Sequence, residues 1–496
     1  MVSRPDARTL IDTVLDKGSW TSWDVPPADP AAPGSSYAEE LAAARAKSGY
    51  DESVITGEGL LDGRRVAVVA SEFSFMAGSI GVAAAERITA AVERAARERL
   101  PLLAAPASGG TRMQEGAVAF VQMVKITAAV QAHRAAGLPH VVYLRHPTTG
   151  GVFASWGSLG HVTAAEPGAL IGFLGPRVFE ALHGYPFPEG VQLAENLFRH
   201  GLVDAVVPAE EARELAARAL SVLCADTSGL RPGEPPEEDL RPVEAWEAIS
   251  RSRRDDRPGV RSLLKLAARD VTPLNGTGAG ENDPGLLLAL ARFGGAPAVV
   301  LGQDRRSQRS SAPLGPAGLR IARRGMRLAA ELGLPLVTVI DTAGAALSKA
   351  AEEGGLAGEI ARCLADMVSL DAPTVCLLLG EGAGGAALAL LPADRVLCAQ
   401  HAWLSPLPPE GASAILYRSV DFAPEIAQAQ GVRATDLRRA GIVDRVIPER
   451  PDAAYEHRAF CERVGRALEH EIAGLLTQPV EGRLATRLAR YRNLGL

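Results

Sequence analysis

The chain has 496 residues, a formal net charge of −6 and a pI near 5.9, with 47% hydrophobic and 22% charged residues. That length allows two or three domains with full cores, and the acidic balance argues against a protein that binds nucleic acid by bulk charge. The five cysteines (Cys224, Cys363, Cys376, Cys398, Cys461) are scattered and form no CxxC pair, which points to reduced, buried thiols in a cytosolic protein and away from structural zinc.

The N-terminus, MVSRPDARTLIDTVLDKGSW, lacks the apolar core of a signal peptide, and no run of about 18 apolar residues follows anywhere. A cytoplasmic protein without a membrane span is expected. Residues 1 to 24 predict a helix capped by Ser3 or Asp6 and ending at Lys17-Gly18. A Pro/Ala/Gly-rich loop leads to a second helix over 37–47. Strands over 53–60 and 64–70 meet at Asp62-Gly63, a hairpin signal. A loop over 72–81 feeds a long helix to Arg99. Next comes LPLLAAPASGGTRMQEG (100–116), a short apolar strand, a Gly-Gly turn and a helix start. A helix over 114–136, a strand over 139–144 and a second glycine turn, PTTGGVFA (147–154), follow. Gly151 opens another helix. A strand over 170–174, a helix over 189–200 and a strand over 202–207 close this half. Alternating strands and helices predict an α/β layered domain.

The second half repeats the first. LPLVTVIDTAGAALSKAAEEGG (334–355) has the grammar of 100–116, and GEGAGGAA (380–387) answers PTTGGVFA. Gly110 to Gly151 is 41 residues, as is Gly344 to Gly385. The halves close alike, with RHGLVDAVVP (199–208) against RAGIVDRVIP (439–448). A long-period self-match indicates duplication. The expected organisation is an N-terminal helical extension over 1–52, a first domain over 53–226, a Pro/Gly/acid linker over 227–284, a second domain over 285–454 and a helical tail over 455–496. In the second domain, 286–293 predicts a helix and 298–302 a strand.

A glycine pair after a buried strand frees the backbone from Cβ restrictions and lets a ligand approach N–H groups at a helix N-terminus. Two such turns facing each other form an oxyanion hole. The plain alternative is that the glycines only permit tight strand-to-helix turns; matched spacing in two copies favours donors. GEGAGG also fits GxGxxG, but the acidic residue about 20 positions on is missing, which argues against a dinucleotide. Ser108 could be a nucleophile, though no His or Asp partner is placed. His133, His140, His146, His161 and His183 are expected to be packing or surface residues. Glu115 is the nearest carboxylate that a hydratase or thioesterase would use.

The first half resembles the beta subunit of the bacterial acetyl-CoA carboxylase carboxyltransferase, on FSFMAGSIG (73–81), ASGGTRMQE (107–115), PTTGGVFAS (147–155) and AEPGALIGFLGPRV (165–178). The second half resembles the alpha subunit, on GLPLVTVIDTAGA (333–345), GEGAGGAALA (380–389), PPEGASAIL (408–416) and RAGIVDRVIPE (439–449). The resemblance implies two tandem crotonase-like domains. It implies transfer of CO2 from N1-carboxybiotin to the α-carbon of acetyl-CoA or another short acyl-CoA; no metal is expected, since 1–52 contain no cysteine for the zinc ribbon that the beta subunit usually carries. In that mechanism carboxybiotin releases CO2, the biotin oxyanion takes the α-proton, and the acyl-CoA enolate attacks CO2. The first domain would hold acyl-CoA, with Gly109, Gly110, Gly150 and Gly151 at the thioester carbonyl. The second would hold biotin, with Gly344, Gly384, Gly385 and Ala386 at the ureido oxygen. Ser108, Arg112, Phe173, Gly175, Glu410 and Gly411 are the candidate substrate-binding residues. The chain carries no biotinyl-lysine motif and no ATP-binding domain, so biotin carboxylase and biotin carboxyl carrier protein would be separate partners. A homo-oligomer, a dimer or higher, is implied, since family members build each active site between domains of different protomers. Two departures stand out. No zinc ribbon is present in 1–52, and DTAGAALS replaces DTPGAYPG, with Ala343 in place of a proline that would stiffen the turn. The basic loop at Arg305, Arg306 and Arg309 suits CoA phosphates or plain solvation equally. The same two oxyanion holes would serve a decarboxylase, and an inactive scaffold is the non-enzymatic alternative.

Overall fold

The computed structural model describes residues 4–28, 31–234 and 239–495. The chain divides into two units, 1–224 and 225–496. Ser3, an expected cap, lies outside the described residues, as does part of the expected linker, 235–238.

Unit 1 is built on a seven-stranded sheet in the order Thr21–Ser22, Val54–Leu61, Arg64–Ser71, Leu102–Ala105, His140–Leu144, Val162–Ala165, Ala205–Val206. The first three strands run antiparallel and the rest are parallel. The Asp62-Gly63 loop forms the hairpin, pairing Leu61 with Arg64. Helices Val82–Arg97 and Gly116–Ala135 pack with the sheet in one core that includes Ile88, Val92, Ile126, Val130, Val142 and Trp156. The N-terminal helix spans only Ala7–Val14 and is capped by Asp6, whose carboxylate accepts from Thr9 N at 2.7 Å. Residues 21–22 are a sheet edge rather than helix. The helix expected over 189–200 is confined to Ala194–Arg199, and the strand expected over 170–174 to Ile171–Gly172.

Unit 2 repeats this plan with the order Ala268–Leu274, Leu286–Phe293, Ala296–Gln303, Leu336–Thr342, Thr374–Ala383, Arg395–Ala399, Arg445–Ile447, and Trp403–Ser405 pairing with Thr374–Ala383. Leu286–Phe293 is therefore a strand and not the expected helix. Its Leu/Ala composition favours helix, but Gly294-Gly295 turns it straight back on Ala296–Gln303, with Phe293 opposite Ala296. Burial of both strands overrides local preference. The stretch expected as a linker also carries structure: helices Ala245–Ser252 and Val260–Ala267, then the edge strand Ala268–Leu274. The tail forms helices His457–Leu476 and Val480–Asn493. The second is pinned by fully buried Arg487, whose guanidinium donates to Asp394 at 2.8 Å through two nitrogens. Among the described residues no helix is long and apolar enough to cross a membrane.

Candidate active site

In unit 1 the two glycine turns pack against each other. A Cβ at Gly110 would lie 3.7 Å from Gly150 Cα, and one at Gly150 3.5 Å from Gly110 Cα. Both glycines have positive φ, +114° and +61°, and +114° is open only to a residue without Cβ. A parallel bridge joins Ser108 to Thr148, with Ser108 N donating to Pro147 O at 2.6 Å and Thr149 N to Ser108 O at 3.0 Å.

The N–H groups divide unevenly. Gly109 N donates to Ala77 O at 2.9 Å, and Gly150 N to Phe173 O at 3.0 Å. These two glycines, expected to face a ligand, spend their donors inside the fold because the turn must be tied to its neighbours. Gly110 N donates to the Ser108 hydroxyl at 3.0 Å. Gly151 lies in the first turn of helix Gly150–Phe153, where N–H groups have no partner within the helix. Its N–H meets no acceptor among the described residues. Met123 closes in behind it, 3.2 Å from where a Cβ would sit.

Ser108 is wholly buried, and its hydroxyl, accepting from Gly110 N, clamps the turn. Arg112 is also turned inward. It is 1% exposed and forms a buried ion pair with Glu52, with further bonds to Ser79 O at 2.8 Å and Ser53 Oγ at 3.3 Å. A guanidinium so enclosed has its donors filled by the fold. Phe173, by contrast, projects into solvent beside Gly150, and Gly175 caps helix Pro176–His183. Glu115 accepts Val82 N at 2.6 Å and the Tyr37 hydroxyl, so it caps a helix and is not a free acid–base carboxylate.

Unit 2 repeats the clamp with another hydroxyl. Gly344, at φ +135°, donates N–H to Thr342 Oγ1 at 3.2 Å, and Thr342 is held in turn by Gln308 Oε1 at 2.7 Å. The turn keeps this shape with Ala343 in the proline position, since Ala346 N donates to Leu314 O at 2.9 Å. Gly384, at φ +67°, and Gly385 open helix Gly384–Leu388. A Cβ on Gly385 would stand 2.7 Å from Ile360 Cδ1. Ala386 is buried and its carbonyl accepts from Gln303 Nε2 at 2.8 Å. A cleft of about 460 Å³ opens here, lined by Gly384, Gly385, Leu388, Ser405, Pro406 and Gln430 among others. The earlier glycines of GEGAGG serve packing: a Cβ on Gly380 would lie 2.4 Å from Asp341 Oδ1, and one on Gly382 2.7 Å from Trp403 O.

Glu410 opens helix Pro409–Tyr417, with Gly411 beside it. Arg253 donates to Glu410 at 2.5 and 3.1 Å and to Glu381 at 3.0 Å. The bonds from Arg253 hold the Glu410 carboxyl below the usual glutamate range. Arg253 and Glu381, which tie this helix to the strand Thr374–Ala383, are residues that sequence reasoning missed. The signal was present in AWEAISRS, whose Ala245, Ala248, Ile249 and Ser252 form a buried helical stripe. The basic loop resolves into helix Arg305–Ser310. Arg305 is buried and donates to Ser252 O, while Arg306 and Arg309 are exposed, Arg309 donating to Glu381 at 3.1 Å. His401, Glu449 and Asp452 also lie together, but Arg257 occupies both Glu449 oxygens at 2.5 and 2.6 Å, which makes the group a buried ion network.

Residues 7–481 match the carboxyl transferase domain family. The chain belongs to that family. It is 62% identical, over 100% of its length and 99% of the relative's, to a probable biotin-dependent acyl-coenzyme A carboxylase beta3 subunit of Mycobacterium tuberculosis. It is 38% identical to the acetyl-coenzyme A carboxylase carboxyl transferase subunits beta/alpha of Salinispora tropica, over 99% of this chain and 91% of that one. Its fold matches transcarboxylase 12S with a TM-score of 0.74 at 21% identity, covering 96% of this chain and 90% of that one. It also matches a single-chain, multi-domain long-chain acyl-CoA carboxylase with a TM-score of 0.71 at 20% identity, covering 93% and 46%. Both units have the crotonase-like architecture of these proteins. The chain is the carboxyltransferase of a biotin-dependent acyl-CoA carboxylase.

Proposed function

We propose that unit 1 binds the acyl-CoA and unit 2 the biotin, each with one oxyanion hole. The observation that carries this is the repeated donor geometry: N–H groups at Gly151 and Gly385 that meet no acceptor among the described residues, and a neighbouring N–H held by a hydroxyl at Gly110 and Gly344. An oxyanion is a stronger acceptor than a hydroxyl, so a bound substrate oxygen displaces Ser108 Oγ and collects two donors. In unit 1 the Gly151 and Gly110 N–H groups then stabilise the enolate formed when the α-carbon of an acyl-CoA loses its proton. In unit 2 the cleft at Gly384 and Gly385 has room for a ureido ring, and Gly385 with Gly344 receives its oxygen. Carboxybiotin, presented by a separate carrier protein and recharged by a separate biotin carboxylase, supplies the carboxyl group and the base. The preferred substrate is acetyl-CoA or another short acyl-CoA, the product malonyl-CoA or its homologue, and the working form a cytoplasmic homo-oligomer. Phe173 and Gly175 border the acyl side, and Glu410 with Gly411 borders the biotin side.

The test is carboxyl transfer from malonyl-CoA, and separately from methylmalonyl-CoA, to biocytin by the purified chain. Turnover is expected, and the ratio of rates reports acyl preference. No turnover together with no binding of CoA thioesters would overturn the reading.

A further inference from the structure

Helix Ser36–Ser48 is fastened to the acyl-side turn by polar bonds more than by burial. Leu41 is its single buried side chain. The Tyr37 hydroxyl donates to Glu115, and Arg112 Nη1 donates to Tyr37 Oη at 3.4 Å. Gln114 Nε2 donates to Glu40 at 2.7 Å. Just beyond the helix, Arg112 Nη1 meets Glu52 at 3.0 Å, and Ser53 Oγ donates to Ser79 O at 2.8 Å. Arg112, Gln114 and Glu115 follow directly on the glycine turn, so the limb leaving Gly110 hangs on residues 37–53. Arg112 N and Ile80 N then lace this limb to the loop beneath it, Arg112 N to Ile80 O and Ile80 N to Gly110 O, both at 2.9 Å. Glu115 has one place to go, because Gly81 leaves room for its carboxylate that a Cβ would fill at 2.2 Å. Burial and the Glu115 carboxylate push the Tyr37 hydroxyl up in pKa, which keeps it a donor.

Resting on the acyl-side assignment above, we propose that segment 36–53 is a strap that sets the acyl-side oxyanion hole, with Tyr37 as its positioning residue. Tyr37 touches no reacting atom. Its hydroxyl joins Arg112 to Glu115 and thereby fixes the limb that carries the Gly110 N–H. Donors stabilise a developing oxyanion only when held in place beforehand, and a misplacement of about 1 Å costs on the order of a hundredfold in rate.

The experiment uses the full chain with Tyr37→Phe, which deletes one oxygen. kcat and both KM values are measured for malonyl-CoA and biocytin, alongside Tm and hydrogen exchange over 108–116. The expected result is a kcat about tenfold lower, unchanged KM for biocytin, unchanged Tm and faster exchange over 108–116. A kcat equal to wild type, or a loss that follows a falling Tm, overturns the strap. Wild-type chain without turnover sinks the acyl-side assignment itself, whereas active wild type with an unaffected variant sinks only the strap.

Discussion

The two glycine turns share a backbone and differ in what surrounds it. In unit 1 a serine hydroxyl holds Gly110, and a buried ion pair, Arg112 with Glu52, stands directly behind the turn. In unit 2 a threonine hydroxyl holds Gly344, and the neutral amide of Gln308 stands behind it, bonded also to Gly285 O at 2.9 Å. Charge in unit 2 sits further out, where Arg253 ties Glu381 on the strand to Glu410 on the following helix. A glycine turn needs only a backbone conformation, so the same turn survives on two unrelated side-chain frames. The frames are then free to suit different ligands.

The largest effect expected from disturbing this comparison is on stability. Arg112→Met strands the Glu52 carboxylate in the core, and breaking a buried pair costs about 3–5 kcal/mol. Denaturant titration should show that loss in unit 1. Gln308→Leu, which strands no charge, should cost only about 1–3 kcal/mol. Next come Gly110→Ala and Gly344→Ala. A Cβ at either meets no atom closer than 3.7 Å, so only backbone strain acts, and each should lower kcat about a hundredfold. Unequal losses would break the equivalence of the two holes.

A smaller effect separates the units by pH. Burial holds His133 and His140 neutral, with pKa below the ordinary imidazole value, His140 well below and lowered further by His161, His133 and Arg134. The unfolded chain takes up these protons as pH falls below about 6.5, and the folded chain does not. Stability is therefore full above that pH and declines below it, by up to about 1.4 kcal/mol per pH unit for each histidine. Melts at pH 7.5 and 5.5 should show the decline in unit 1, and His140→Gln should flatten it. The Glu410 tether runs the other way. Its folded pKa is depressed, so its contribution is present above the ordinary glutamate value and is lost only as pH falls through the folded one. It should persist at pH 5.5. The smallest effect is that of Arg253→Met, which cuts this half-exposed tether. About 1 kcal/mol, or fivefold in KM for biocytin, is expected, with KM for malonyl-CoA unchanged.

Much of this was legible before the structure. The 41-residue spacing located both pairs of turns, and Asp62-Gly63 announced the first hairpin. Its partner at Gly294-Gly295 was hidden because Leu286–Phe293 is rich in helix formers, and only pairing with Ala296–Gln303 decides the matter. The site residues divide the same way. That glycines were needed at 110, 150, 344 and 384 could be read, since each adopts positive φ. Which N–H remains unspent could not, because Gly109 and Gly150 give theirs to Ala77 and Phe173, partners about 20 to 30 residues away in sequence. Arg112's surroundings were hidden for the same reason: an arginine beside a turn looks like a ligand contact, and the Glu52 that lies beneath it is 60 residues away in sequence. Arg253 lay in a stretch whose composition suggested a linker, and its partner Glu410 is 157 residues away.

The central claim is the division of labour between the holes, and amide hydrogen exchange with each substrate alone tests it most directly. Malonyl-CoA or its non-hydrolysable analogue should slow exchange over 108–116 and 148–155, and biocytin over 342–348 and 382–388. Protection of the unit 2 turns by the CoA ligand, with the unit 1 turns untouched, would contradict the account.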